Sequence, residues 1–246
     1  MPADAPTIVA SSGGYVPGRR TELEFGPIVH HAVELAGVSG RAPRLGYLGT
    51  AAGDQRWAIA ERYEAARVAG YELNPLLLFT MPNVDDVEGF LLGQDVVWVD
   101  GGSVVNLLAV WRAHGLDQVF RRVWEAGVVL AGVSAGSICW HTSGTTDSFG
   151  PELRAVHDGL GLVPYANGVH YDSEERRRPL VHELVAAGEL GTTYCTDDGV
   201  GLVYRGTELA GAVTERRGQA AYVVTRGADG TAVEERIEPV PLRGAR

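Results

Sequence analysis

Four times in the first 136 residues a short β-rich run stops at a cluster of glycine and small residues, as in TIVASSGG, RLGYLGTAAG, DVVWVDGGS and GVVLAGVSAG. The first three of these give way to helical patterns before the next strand, and the fourth leads into an apolar helix start. This order predicts a parallel sheet with helices on both faces. The almost unbroken apolar run of DVVWV suits a strand covered on both sides. Helices are expected from Phe25 to Gly37, from Gln55 to Ala69 with Gly70 closing it, and over DDVEGFLLG. A further pair, Val104 to His114 and Leu116 to Glu125, breaks at Gly115. Ligands of such sheets bind beyond the carboxyl ends of the strands, so the glycine clusters are expected along one functional edge.

After Gly144 the pattern changes. A helix is expected from Ser173 to Ala187, followed by the β-rich runs TTYCTDD, VGLVYRG, ELAGAVT and AAYVVTRG, joined by turn pairs such as Asp198-Gly199 and Asp229-Gly230. The expected fold class is α/β, a three-layer sandwich with a mostly parallel central sheet and an antiparallel C-terminal extension. A chain of 246 residues, 45% of them hydrophobic, can bury its core as a single domain over residues 1–246, with a weakly tied tail beyond Pro241. The net charge of −10 argues against nucleic-acid partners and anionic membrane surfaces. The N-terminus has no secretory pattern, and Cys139 and Cys195 read as small core residues. A cytoplasmic location is therefore expected. No His, Cys and Asp cluster has ligand spacing, so neither a metal nor a cofactor is expected.

Gly132-Val133-Ser134-Ala135-Gly136 falls after a buried strand and before an apolar helix start. Small residues around a serine are what a nucleophile elbow requires, although the pentapeptide alone is a weak signal. A serine nucleophile needs a base, an acid that orients it, and donors for the oxyanion. The backbone N–H of Ala135 is the natural first donor, and Gly101 or Gly102 can supply a second. His30, His31, His114, His141 and His182 fall in or near helical patterns. Of the two downstream histidines, His170 in NGVHYDS is preferred over His157. Asp197 and Asp198 are the leading candidates for the orienting acid, with Asp147 and Asp172 as rivals.

The segments DVVWVDGGSVVNLLAVWR, AGVSAGSICW, GLGLVPYANGVHYDS and the Asp-Asp-Gly before VGLVY, in that order, resemble the peptidase E family of aspartyl dipeptidases. The resemblance covers most of the chain to about Gly206. It implies a fold similar to class I glutamine amidotransferases, with Ser134 as nucleophile, His170 as base and Asp198 as third member. It also implies that Asp147 lies near another acidic active-site position. Arg177 is the best match to an arginine that would bind an N-terminal aspartate, although its spacing from His170 is short. Where the family often has Gly-Gly-Asn, this chain has Gly101-Gly102-Ser103, a change beside the oxyanion-hole position.

The expected partner is a small peptide substrate hydrolysed through an acyl-enzyme. One rival is a related hydrolase on the same scaffold, similar to cyanophycinase or acting on a specialised amide or ester. A non-catalytic binding protein is the other. The apolar face from Val104 to Trp111 belongs either in the core or in a homodimer interface. Loops 14–24 and 141–158 are the candidate walls of a substrate pocket.

Overall fold

The computed structural model describes residues 3–245. In chain order come β1 (Thr7–Ser11), a hairpin of β2 (Tyr15–Pro17) and β3 (Leu23–Phe25), α1 (Pro27–Leu35), β4 (Arg44–Leu48), α2 (Arg56–Ala69) and β5 (Glu72–Pro75). They are followed by α3 (Val87–Leu92), β6 (Val96–Val99), α4 (Val104–Ala113), α5 (Leu116–Glu125), β7 (Val129–Val133) and the short α6 (Ala135–Ile138). The second half comprises β8 (Ser143–Thr146), β9 (Arg154–Val156), β10 (Ala166–Gly168), α7 (Arg177–Ala187), β11 (Thr193–Thr196) and β12 (Val200–Arg205). Strands β13 (Glu208–Thr214), β14 (Ala221–Arg226), β15 (Ala232–Ile237) and β16 (Val240–Pro241) complete it.

The central sheet runs β16-β13-β12-β1-β7-β6-β4-β5. Strands β1, β7, β6, β4 and β5 pair in parallel, so their carboxyl ends share one edge. Side-chain alternation builds the layers. Ile8, Ala10, Val97, Val99 and Leu130 face a core shared with α4 and α5, whereas Val9, Val96, Trp98, Val129 and Ala131 face a core shared with α1 and α2. The α4 face is spent in the first of these cores, where Val104, Leu107, Leu108 and Trp111 are all buried.

The C-terminal β-rich runs divide between two sheets. β12 extends the central sheet antiparallel to β1 and β13 follows antiparallel to β12, while β11 and β14 join a second sheet ordered β15-β14-β11-β10-β8-β9. In it β8, β10 and β11 are parallel neighbours, while β14 pairs antiparallel with both β11 and β15. α1 begins at Pro27, two residues after the expected Phe25, because the β2–β3 hairpin uses the chain through Phe25 and proline favours the first helical position. α7 begins at Arg177, not Ser173, since the intervening residues form turns from His170. Within residues 242–245 the chain is joined to β13, where Leu242 N–H donates to Thr214 O at 2.9 Å, and closes a turn from Ala245 N–H to Leu242 O at 3.0 Å; Arg246 lies outside the described residues.

Candidate active site

The parallel strand ends bring the glycine clusters into hydrogen-bond contact. Ser134 N–H donates to Ser11 O, Asp100 N–H to Leu48 O and Ser103 N–H to Ala51 O, each at 3.0 Å. Between β7 and α6 the chain turns so sharply that Ser134 takes φ 58° and ψ −113°, a conformation non-glycine residues rarely adopt. The turn is held by Ser137 N–H and Ile138 N–H, which donate to Ser134 O at 2.8 and 3.0 Å. Glycine is required on both sides by close approach: a Cβ on Gly136 would strike Val99 O, and one on Gly132 would strike Gly136 O.

His170 also has a positive φ, 53°. Its Nδ1 lies 2.6 Å from Asp198 Oδ1. A carboxylate accepts, so Nδ1 carries the proton and Nε2 is left as the basic nitrogen. The bond from His170 is the leading cause that holds the Asp198 carboxyl below the usual aspartate range. Asp172 supports the pair from behind, its Oδ1 accepting from Asp198 N–H at 2.8 Å. Asp197 points elsewhere: it accepts from Ala220 N–H at 2.9 Å, and burial raises its pKa. His157 is exposed and paired with Glu189 at 3.1 Å.

Among the described residues no hydrogen bond joins Ser134 Oγ to His170. The connection between them runs through Ser11 and Ser12. Ser11 O accepts from Ser134 N–H, Ser12 Oγ accepts from His170 N–H at 3.0 Å, and Ser12 O accepts from Gly199 N–H, next to Asp198, at 2.9 Å. One dipeptide therefore fixes the backbone at Ser134, at His170 and beside Asp198. Sequence reading placed SSGG at the functional edge without assigning these serines a role; their only local signal was position after a buried strand.

Gly101 and Gly102 run beside Ser134. A Cβ on Gly101 would lie 3.2 Å from Ser134 Cβ, and Gly102, at φ 136°, is pressed against Ala51 so closely that a Cβ would lie 2.5 Å from its carbonyl oxygen. Ala135 opens α6, where a first-turn N–H has no intrahelical acceptor. Ser103, in the place of the expected asparagine, caps α4 by accepting from Asn106 N–H at 3.2 Å.

Two expected substrate contacts have other surroundings. Arg177 is buried, its guanidinium donating to Thr145 O, to Thr145 Oγ1 at 3.2 Å and to Glu174 Oε2 at 2.5 Å. A substrate carboxylate would have to displace Glu174 to reach it. Asp147 is exposed and lines a cavity of about 410 Å³ with Pro151, Glu174, Glu175 and Arg176. A second cavity, of about 320 Å³, opens beside Gly101 and Val133. Among the described residues no group of three or more His, Cys, Asp or Glu is placed to hold a metal ion, and no helix is long and apolar enough to cross a membrane.

The profile of peptidase family S51 matches residues 10–211. The chain is 38% identical over 200 residues to the uncharacterized peptidase YgaJ of Bacillus subtilis (strain 168), which covers 81% of this chain and 83% of that one. The crystal structure of a peptidase from an acI-B1 Actinobacterium superposes with a TM-score of 0.69 at 16% identity, covering 96% of this chain and 95% of its own. A candidate peptidase E protein from Listeria monocytogenes EGD-e superposes with a TM-score of 0.58, also at 16% identity, covering 94% and 98%. At those identities the two solved structures establish a shared α/β fold. With a profile match that spans most of the chain and a curated relative at 38% identity, the protein belongs to peptidase family S51, the peptidase E family of serine peptidases.

Proposed function

We propose that this serine peptidase cleaves dipeptides or short peptides through an acyl-enzyme, with Ser134 as nucleophile, His170 as base and Asp198 as orienting acid. The observation that carries the assignment is the 2.6 Å His170–Asp198 bond, held on the same strand edge as the strained Ser134 by Ser11 and Ser12. Ser134 Oγ attacks the scissile carbonyl while His170 Nε2 takes its proton and then delivers it to the leaving amine. The backbone N–H groups of Gly102 and Ala135 hold the oxyanion. Water then repeats the sequence on the acyl-serine. Asp198 keeps the proton on Nδ1 and stabilises the imidazolium that forms. The buried free thiols Cys139 and Cys195 suit a reducing cytoplasm.

The reading is tested by hydrolysis of a panel of X-Leu dipeptides and aminoacyl p-nitroanilides, with Ser134→Ala beside the wild type. Cleavage of members of the panel is expected, reduced at least about 1,000-fold in the variant at unchanged fold. Full activity in Ser134→Ala would overturn the assignment. A folded wild type that cleaves none of the panel would move the reading to a specialised amide or ester hydrolase.

A further inference from the structure

The cavity of about 320 Å³ lies on the β6 and β4 side of Ser134, walled by Tyr15, Tyr47, Trp57 and Arg62, with Asp100 at its buried end. His170 lies on the other side of the nucleophile, toward β1 and β12, where Ser12 and Asp198 hold it. The base delivers its proton to the leaving amine, so the leaving group of a bound peptide lies toward β1. The residue whose carbonyl is attacked then lies toward β6. This cavity is placed to receive its side chain.

The polar end of the cavity is already satisfied. Asp100 Oδ1 accepts from the Tyr15 hydroxyl and from Trp98 Nε1 at 3.1 Å; its Oδ2 accepts from the Tyr47 hydroxyl at 2.7 Å and from Arg62 Nη2 at 3.0 Å. Burial first, and the neighbouring Asp100 second, push both phenols well above the ordinary tyrosine value, so they stay protonated and donate. Arg62 Nη1 donates to Glu61 at 2.9 Å, its guanidinium stacks 4.5 Å over the Tyr15 ring, and its Nε is buried out of reach of a ligand. A resident carboxylate thus occupies the donors that an acidic substrate side chain would seek. Two carboxylates, Asp100 and Glu61, offset the single guanidinium. What remains open to a ligand is Val133, small residues, the amide of Gln55, whose Nε2 donates to Ala52 O at 3.2 Å, and the ring of Trp57, which is 64% exposed at the rim.

We infer that this cavity selects an uncharged apolar or aromatic side chain on the attacked residue and rejects an acidic one. The inference rests on the serine-peptidase reading above. It departs from the aspartyl preference that the family resemblance implied, for a physical reason: a substrate carboxylate brought beside the resident Asp100 carboxylate at a half-buried site is strongly repelled.

The test uses α-aminoalkyl diphenyl phosphonates bearing phenylalanine, leucine or aspartate side chains. With each, Ser134 Oγ forms a bond to phosphorus, phenoxide leaves, and the serine proton passes through His170 to give phenol. Intact mass reads the rate on the full chain. The phenylalanine and leucine probes are expected to label the wild type at least about tenfold faster than the aspartate probe, with labelling absent in Ser134→Ala. Asp100→Asn, which leaves Arg62 less compensated, is expected to narrow that ratio about tenfold. Trp57→Ala, a rim change that folding tolerates, is expected to slow the phenylalanine probe and leave the aspartate probe unchanged, and it decides the matter should Asp100→Asn fail to fold. Ser134-dependent labelling that is fastest with aspartate, or a Trp57→Ala protein with unaltered phenylalanine labelling, overturns the inference alone. A folded wild type that no probe labels overturns the serine-peptidase reading and this inference with it.

Discussion

Ser134, His170 and Asp198 occupy backbone positions that local propensity would not choose for the first two, since both serine and histidine sit at positive φ. Strain of this kind costs on the order of 1–3 kcal/mol per residue and persists where the surroundings over-determine it. The hydrogen bonds of Ser11 and Ser12 supply that determination. Asp198→Asn replaces an acceptor-only carboxylate with an amide that can donate to Nδ1, so the Nδ1–H tautomer is no longer selected and kcat is expected to fall about 10⁴-fold with KM little changed; a steady-state comparison with wild type decides it. His141 is a titratable group outside this chemistry. It is buried behind the elbow, with Nδ1 donating to Ser137 O at 2.9 Å and Nε2 facing the Tyr204 hydroxyl at 3.1 Å, and burial lowers its pKa to about 4. Between pH 6.5 and 4 the unfolded chain therefore binds a proton at this residue that the fold refuses. The associated stability is present in full above pH 6.5 and is lost as pH falls toward 4, by about 3 kcal/mol in all. In urea titrations across that window, His141→Phe is expected to show a slope flatter by about 1.4 kcal/mol per pH unit, on a lower baseline because two polar partners lose their bond. An unchanged slope would reject this account.

At the scale of elements, the β7–α6 elbow depends on backbone approach between neighbouring strands. Gly136 packs directly on the Val99 carbonyl of β6, so a methyl group there has nowhere to go. Gly136→Ala is expected to lower stability by about 1–3 kcal/mol and to reduce kcat, because relief of the clash displaces Ser134; thermal unfolding and turnover measured together check both parts. This element was legible in sequence, since small residues around Ser134 after an apolar run signal the turn. The pair Ser11-Ser12 was legible only as an edge position, because what it touches lies more than a hundred residues away along the chain. Arg177 illustrates the converse. Its place at the start of α7 invited a reading as a substrate clamp, yet its partners Thr145 and Glu174 make it a buried brace between β8 and the His170 turn.

Across the whole molecule, the site spans both sheets: Ser134 follows β7 of the central sheet, whereas His170 follows β10 of the second. The two do not have equal cores. β1, β6 and most of β7 are buried, while β15 is an edge strand of alternating exposure whose layer packs on the smaller cluster around α7. Amides of β1, β6 and β7 are expected to exchange only through near-global unfolding, and those of β15 through local opening at least about tenfold faster. Native-state hydrogen exchange checks this, and equal protection in both groups would show one cooperative unit.

Taken alone, the sequence determined the alternation of strands and crossovers, the parallel half of the central sheet, the edge on which its glycine clusters meet, and the serine that the elbow presents. These are legible because they arise from periodicity and from small residues at short spacing, which act within a few residues of where they are written. The division of the C-terminal strands between two sheets, the hydrogen bond between His170 and Asp198 and the bridging by Ser11 and Ser12 were decided only in the tertiary structure. So was the satisfaction of Asp100 by Tyr15, Tyr47, Trp98 and Arg62. Each depends on which distant groups share a hydrogen bond or a buried charge, and that is set by the three-dimensional path of the chain.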